Sequence, residues 1–126
     1  MFFGKKNKIL VVDDDEDMLL LLKRILSDNR YSVTQAKNGL ECIEQAKKMS
    51  PDIIVMDVMM PELDGLATVL KLRSIEETRA IPIIMCTAVK ENEDETLARN
   101  LGVVDYVRKT PHMGDLIAKI ERVLNQ

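Results

Sequence analysis

The chain contains a single histidine, His112, and only two cysteines, Cys42 and Cys86, in 126 residues. One histidine excludes a histidine-rich zinc site and any paired-histidine mechanism. The two cysteines lie inside apolar patterns without metal-ligand spacing, so they read as reduced, buried thiols. Long hydrophobic runs are also missing. The longest strictly apolar stretch is Met18 to Leu22, against the roughly 20 residues that a membrane span needs. The opening MFFGKKNK lacks the apolar stretch of a secretory signal, so the expectation is a cytoplasmic protein with no membrane partner. There is no basic excess: 18 Lys plus Arg face 21 Asp plus Glu, for a net charge of −3. That balance argues against nucleic acid as a partner, which calls for a basic stripe. With no linker, low-complexity tract or convincing repeat, residues 1–126 read as one domain.

What is present is a well-mixed globular composition, 46% hydrophobic and 31% charged. A chain of this length buries roughly two-thirds of its unfolded surface on folding, so one core without staples is feasible. Its periodicity switches repeatedly between strand and helix. Lys8–Asp13 and Asp52–Asp57 are short apolar runs ending in acid, as in strands buried on both faces. Tyr31–Ala36, Pro82–Thr87 and Val103–Arg108 complete five strands. Between them, Asp15–Ser27 carries Met18, Leu21, Leu22, Ile25 and Leu26 at helical spacing, with Leu19 at the margin and Leu20 among polar residues. A second helix follows Asn38-Gly39, with Leu40, Ile43 and Ala46 apolar, and a third carries Leu66, Val69, Leu70 and Leu72. Glu91–Leu101 is a helix opened by acids, which complement its dipole, and Gly102 is its stop. Asp115–Leu124 is the fifth helix, with Leu116, Ile117, Ile120, Val123 and Leu124 inward.

Five alternating units of this kind predict an α/β fold, a doubly wound five-stranded parallel sheet covered by helices on both faces. Sites in such sheets form beyond the carboxyl ends of the strands, where the strand order reverses. The first strand ends in Asp13-Asp14, the third in Asp57 and the fourth in Thr87, and the fifth is followed by Lys109. Carboxylates gathered there repel, by about 4 kcal/mol for a pair at about 4 Å and an effective dielectric of 20. A hard divalent cation removes that cost, and a site with few protein oxygens suits Mg²⁺. A carboxylate beside Mg²⁺ is a competent nucleophile toward phosphorus, while a hydroxyl and an ammonium can hold phosphoryl oxygens. Each residue has a plainer reading. Asp13, Asp14 and Asp15 are good helix caps, Asp57 a turn residue, Thr87 a strand threonine and Lys109 a solvated lysine. Their shared position at strand ends is what favours chemistry.

Together Ile9-Leu-Val-Val-Asp-Asp14, Asp57-Val-Met-Met-Pro-Glu-Leu-Asp-Gly65, Thr87-Ala88 and Gly102 through Asp105-Tyr106 to Lys109 form a specific combination. From about Lys8 to Leu124 the chain resembles the receiver domain of two-component response regulators, the single-domain chemotaxis regulator among them. The resemblance implies a flavodoxin-like (βα)5 fold with strand order 2-1-3-4-5. It implies Asp57 as phosphoacceptor, and Mg²⁺ held by Asp14, Asp57 and the Met59 carbonyl, with Asp13 acting through water. Thr87 and Lys109 would hold the phosphoryl oxygens, and Tyr106 would be the aromatic switch. The implied partners are a histidine kinase or histidine phosphotransfer protein and a downstream protein target. One motif departs from the family, because Lys109 is followed by Thr110 and only then by Pro111. A cis bond before a non-proline residue costs about 3–4 kcal/mol, so the Lys109–Thr110 peptide is expected to be trans.

The functional expectation is a stand-alone receiver that catalyses only its own phosphorylation and dephosphorylation and is otherwise no enzyme. Two alternatives use the same fold: a phosphorelay intermediate and a phosphorylation-independent interaction module. The complete set of acids, threonine and lysine counts against the module. An independent Mg²⁺ phosphohydrolase would need a second acid–base carboxylate and a substrate cap, for which no segment is evident.

Overall fold

Three stretches of the chain, Ile9–Val12, Ile53–Met56 and Ile83–Cys86, are apolar at every position, and in a parallel sheet this means burial on both faces. The computed structural model describes residues 6–57, 64–87, 99–100, 102–108 and 114–125. Within them, β1 (Lys8–Val12), β2 (Ser32–Ala36), β3 (Ile53–Met56), β4 (Ile83–Thr87) and β5 (Asp105–Arg108) form one parallel sheet ordered β2-β1-β3-β4-β5. The described helices are α1 (Glu16–Asp28), α2 (Gly39–Met49), α3 (Gly65–Ser74) and α4 (Gly114–Leu124). Arg99 and Asn100 are helical, but the rest of the helix expected over Glu91–Leu101 lies outside the described residues.

Successive strand residues point to opposite faces, so each strand feeds two cores. Leu10, Val12, Ile54, Met56, Ile83 and Met85 pack with Cys42, Ala46, Val69 and Leu72 of α2 and α3. Ile9, Val11, Ile53, Val55, Ile84, Cys86 and Val107 pack with Leu19, Leu22, Leu26, Leu116 and Ile120 of α1 and α4. Full burial of each such aliphatic side chain contributes about 1.5–3 kcal/mol. Removing any central one therefore matters to both fold and site.

The helix ends are set by local chemistry. Asp15 caps α1, its carboxylate accepting from the amides of Asp17 at 2.9 Å and Met18 at 3.4 Å. Asn38 caps α2 by accepting from the Glu41 amide at 2.8 Å, and the Glu41 carboxylate accepts from the Lys37 amide at 3.1 Å. Asp64 caps α3 by accepting from the Ala67 amide at 2.8 Å. Gly102 has φ of +85°, a left-handed conformation that suits glycine, and its amide donates to Arg99 O at 3.0 Å. The expected stop is there.

Three helix faces differ from the expectation. In α1 the core position belongs to Leu19, which is 3% exposed, while Leu21 is 38% exposed. Four consecutive leucines carry no phase information, and packing against the sheet selects the stripe Leu19, Leu22, Leu26. In α2, Leu40 stands in solvent and Cys42 takes the core position. In α3, Leu70 is exposed and Thr68 is fully buried. Burial of that hydroxyl is tolerated because Thr68 Oγ1 donates to Asp64 O at 2.8 Å.

Candidate functional site: an acidic cluster at the sheet switch point

Val12 pairs with Met56 in the β1–β3 ladder, so the residues that follow, Asp13 and Asp57, leave the sheet side by side. β1 lies between β2 and β3, which places this pair where the strand order reverses. The Asp13 amide donates to Ala36 O at 3.2 Å and the Asp57 amide to Val12 O at 2.9 Å. Backbone bonds to neighbouring strands thus fix both Cα positions. Asp13 and Asp57 are buried, with 1% and 7% of their surface exposed, whereas Asp14 is exposed. Each of the three offers a carboxylate oxygen, and those oxygens lie within 4.8 Å of one another. Asp13 Oδ1 also accepts from the Asp15 amide at 3.0 Å, so the turn into α1 orients it.

At about 5 Å and an effective dielectric of 20, the buried Asp13 and Asp57 charges repel by roughly 3 kcal/mol. An all-oxygen donor set with two buried carboxylates fits a hard divalent cation that retains water, as Mg²⁺ does. Asp13, Asp14 and Asp57 are the residues that would hold it.

Of the other expected site residues, Thr87 closes β4 and pairs in register with Arg108, the last residue of β5. Tyr106 is the second residue of β5 and pairs with Met85. The two strands therefore end together on the carboxyl edge that carries the aspartates. Met59, Lys109 and the Lys109–Thr110 peptide lie outside the described residues. Both cysteines are free and buried, as expected. Burial pushes the Cys42 thiol up to about 12, so it is inert at physiological pH.

One charged arrangement was not expected from the sequence. Asp105 at the head of β5 meets Lys119 Nζ at 2.9 Å and Arg122 Nη2 at 3.1 Å, both on α4, and Arg99 Nη2 at 3.9 Å. This carboxylate ties the strand that bears Tyr106 to α4. A legible signal existed in Lys119 and Arg122, which are three residues apart and therefore share one helix face.

The sequence pattern of the response regulator receiver domain matches residues 9–121. Response regulator MprA of Mycobacterium leprae is 38% identical over 119 residues, covering 94% of this chain and 51% of that protein. The chain spans about half the length of the curated relatives it matches. Among solved structures, the chemotaxis protein CheY4 of Vibrio cholerae superposes with a TM-score of 0.89 at 28% identity, covering 94% of this chain and 99% of that one. TrrA of Thermotoga maritima, solved in complex with Mg²⁺-BeF, matches with a TM-score of 0.83 at 26% identity over 93% and 98% of the two chains. The chain belongs to the response regulator receiver domain family.

Proposed function

We propose that this receiver accepts a phosphoryl group on Asp57 from a phosphohistidine protein, in a Mg²⁺-dependent reaction, and signals through a changed binding surface. The observation that carries the reading is the placement of Asp57, buried beside Asp13 at the switch point with Asp14 at the rim. In the transfer, an Asp57 carboxylate oxygen bonds to phosphorus as the phosphorus–nitrogen bond of the donor breaks. The imidazole leaves with that electron pair, and no outside oxidant or reductant is required. Bound Mg²⁺ supplies neutralisation of the charge on the carboxylates and phosphoryl oxygens. Asp14, Asp57 and the Met59 carbonyl would hold the cation, with Asp13 acting through water. Thr87 and Lys109 take the phosphoryl oxygens, and Tyr106 reports occupancy to the surface. The chain catalyses only its own modification.

The receiver acts as a signalling unit in the cytoplasm, its partners being a histidine kinase or phosphotransfer protein and a downstream protein. The half-length match to the curated relatives favours a second reading, in which the same chemistry serves a longer regulator. Among the described residues, no helix is long and apolar enough to cross a membrane.

Incubation with Mg²⁺ and acetyl phosphate, followed by peptide mapping, tests the chemistry. Modification at Asp57 that disappears in Asp57→Asn and on chelation of Mg²⁺ is expected. Labelling elsewhere, or labelling indifferent to Mg²⁺, refutes the assignment. An immunoblot of the source cells then separates the two readings by the size of the native protein.

A further inference from the structure

Away from the acidic cluster, α2 and α3 leave an open groove of about 420 Å³ between them. It is lined by Leu40, Ile43, Glu44, Lys47 and Lys48 of α2 and by Lys71 of α3. Positions 40, 43, 44 and 47 follow the i, i+3, i+4, i+7 rule, so they make one stripe down α2, about 10 Å long. Leu40 at one end of the stripe is 58% exposed, and Ile43 beside it is partly buried, its inner side packed against the core. The rim carries three lysines against one glutamate, in a chain whose net charge is −3. Among the described residues, no acidic side chain forms an ion pair with Lys47, Lys48 or Lys71.

The lysines have a structural use, since they occupy the last turns of α2 and α3 and complement those helix dipoles. That use does not account for the apolar floor beside them. A second copy is a poor occupant, because a symmetric contact would set the three lysines against their own counterparts. A nucleic acid is ill served by an aliphatic floor with a glutamate in it, and a membrane by a single projecting leucine. An amphipathic helix seats its apolar face in a groove of this kind, and acids flanking that face would reach the lysines.

We infer that the α2–α3 groove is a docking surface for an acidic amphipathic helix of a partner protein. Its leucine-type anchors rest on Leu40 and Ile43, and its carboxylates pair with Lys47, Lys48 and Lys71. The inference does not rest on phosphoryl chemistry, because among the described residues the groove shares none with the acidic cluster.

The test uses a short capped helical peptide with leucines at i, i+3 and i+7 flanked by glutamates, and a twin with lysines in place of the glutamates. Each is titrated into the isotope-labelled protein while backbone resonances are followed. The acidic peptide is expected to perturb residues 40–48 and 71 and to bind about tenfold tighter than its twin at low salt, with the gap closing as salt rises. Leu40→Ser, an exposed change, should weaken it, as should Lys47→Glu with Lys71→Glu, with melting curves confirming the fold. Absence of binding, equal binding of the twin, or shifts centred elsewhere overturns the proposal. So does tighter engagement of phosphatidylglycerol vesicles by the same residues, or self-association that Leu40→Ser abolishes.

Discussion

The amide of Asp57 donates to the carbonyl of Val12 across 2.9 Å, and this bond extends the β1–β3 ladder past the last paired residues. It holds the Asp57 carboxylate abreast of Asp13, where both are buried and both carry the same charge. Repulsion built into the backbone register is the basis of the first prediction. Mg²⁺ should stabilise the protein, by about 1.4 kcal/mol at ten times its dissociation constant. For a domain of this size that is a rise in melting temperature of roughly 3–6 °C. In the metal-free protein, Asp13→Asn and Asp57→Asn should each raise stability by about 1 kcal/mol and blunt the response to Mg²⁺. Thermal melts with and without Mg²⁺ check this, and lower stability in both variants would contradict it.

Leu21 projects from α1 at 38% exposure, so a polar replacement there leaves the core intact. If the proposed phosphodonor protein docks on α1, as the resemblance to receivers implies, the face carrying Met18 and Leu21 is where it would rest. Leu21→Glu should slow transfer from a phosphohistidine protein by about tenfold, the order expected of an apolar anchor in an interface. Its rate with acetyl phosphate should stay within about twofold of wild type, because that donor uses no protein surface. Equal slowing with both donors would assign Leu21 to the fold.

Thr78 is fully buried, and its hydroxyl donates to Leu72 O at 2.7 Å, closing the C-terminal end of α3. Thr78→Val removes that bond and leaves the carbonyl only the Ile75 amide at 3.3 Å, so it should cost about 1 kcal/mol, whereas Thr78→Ser keeps the bond and should cost less. Urea unfolding midpoints distinguish the two.

Asp105 is 14% exposed at its side chain and faces Lys119, Arg122 and Arg99, which are 30%, 64% and 48% exposed. Solvent screens cations so exposed, so Asp105→Asn should cost only about 1 kcal/mol at low salt and less at high salt. A loss that does not depend on salt would point to packing, not to charge. The same unfolding series at several ionic strengths supplies the answer.

The Cys42 thiol has its ordinary value near 9 raised to about 12 by burial. The folded state therefore holds this proton more tightly than the unfolded state. Its contribution to stability is complete below pH 9 and is lost as pH rises from 9 toward 12. Wild type should lose stability in that window more steeply than Cys42→Ala, by about 1.4 kcal/mol per pH unit. Comparing slopes removes the fixed cost of the cavity that alanine leaves, and equal slopes would disprove the assignment.

Strand identity, strand ends and the acids on them were legible from the chain. β1 and β3 are apolar at nearly every position and terminate in Asp13-Asp14 and Asp57, a pattern that a doubly covered parallel sheet requires. The caps at Asp15 and Asn38 and the stop at Gly102 were legible for the same kind of reason, since each is a local contest between a side chain and nearby amides, or a single backbone angle.

Helix phase was not legible. Leu19 and Leu21 are chemically identical and two residues apart, and only packing against Ile9, Val11 and Val55 decides which is buried. Leu40 and Leu70 read as core residues because they are leucines, but the sheet accepts Cys42 and Thr68 instead. The Asp105 network depends on β5 lying beside α4, and the α2–α3 groove on the separation of two helices, neither of which is a property of a segment. The sequence by itself determined which residues end the strands, because those ends follow from local burial and turn chemistry. The tertiary structure alone decided which carboxylates meet and which apolar faces remain open. Both depend on the register and spacing of elements far apart in the chain, set when the sheet and its two cores pack together.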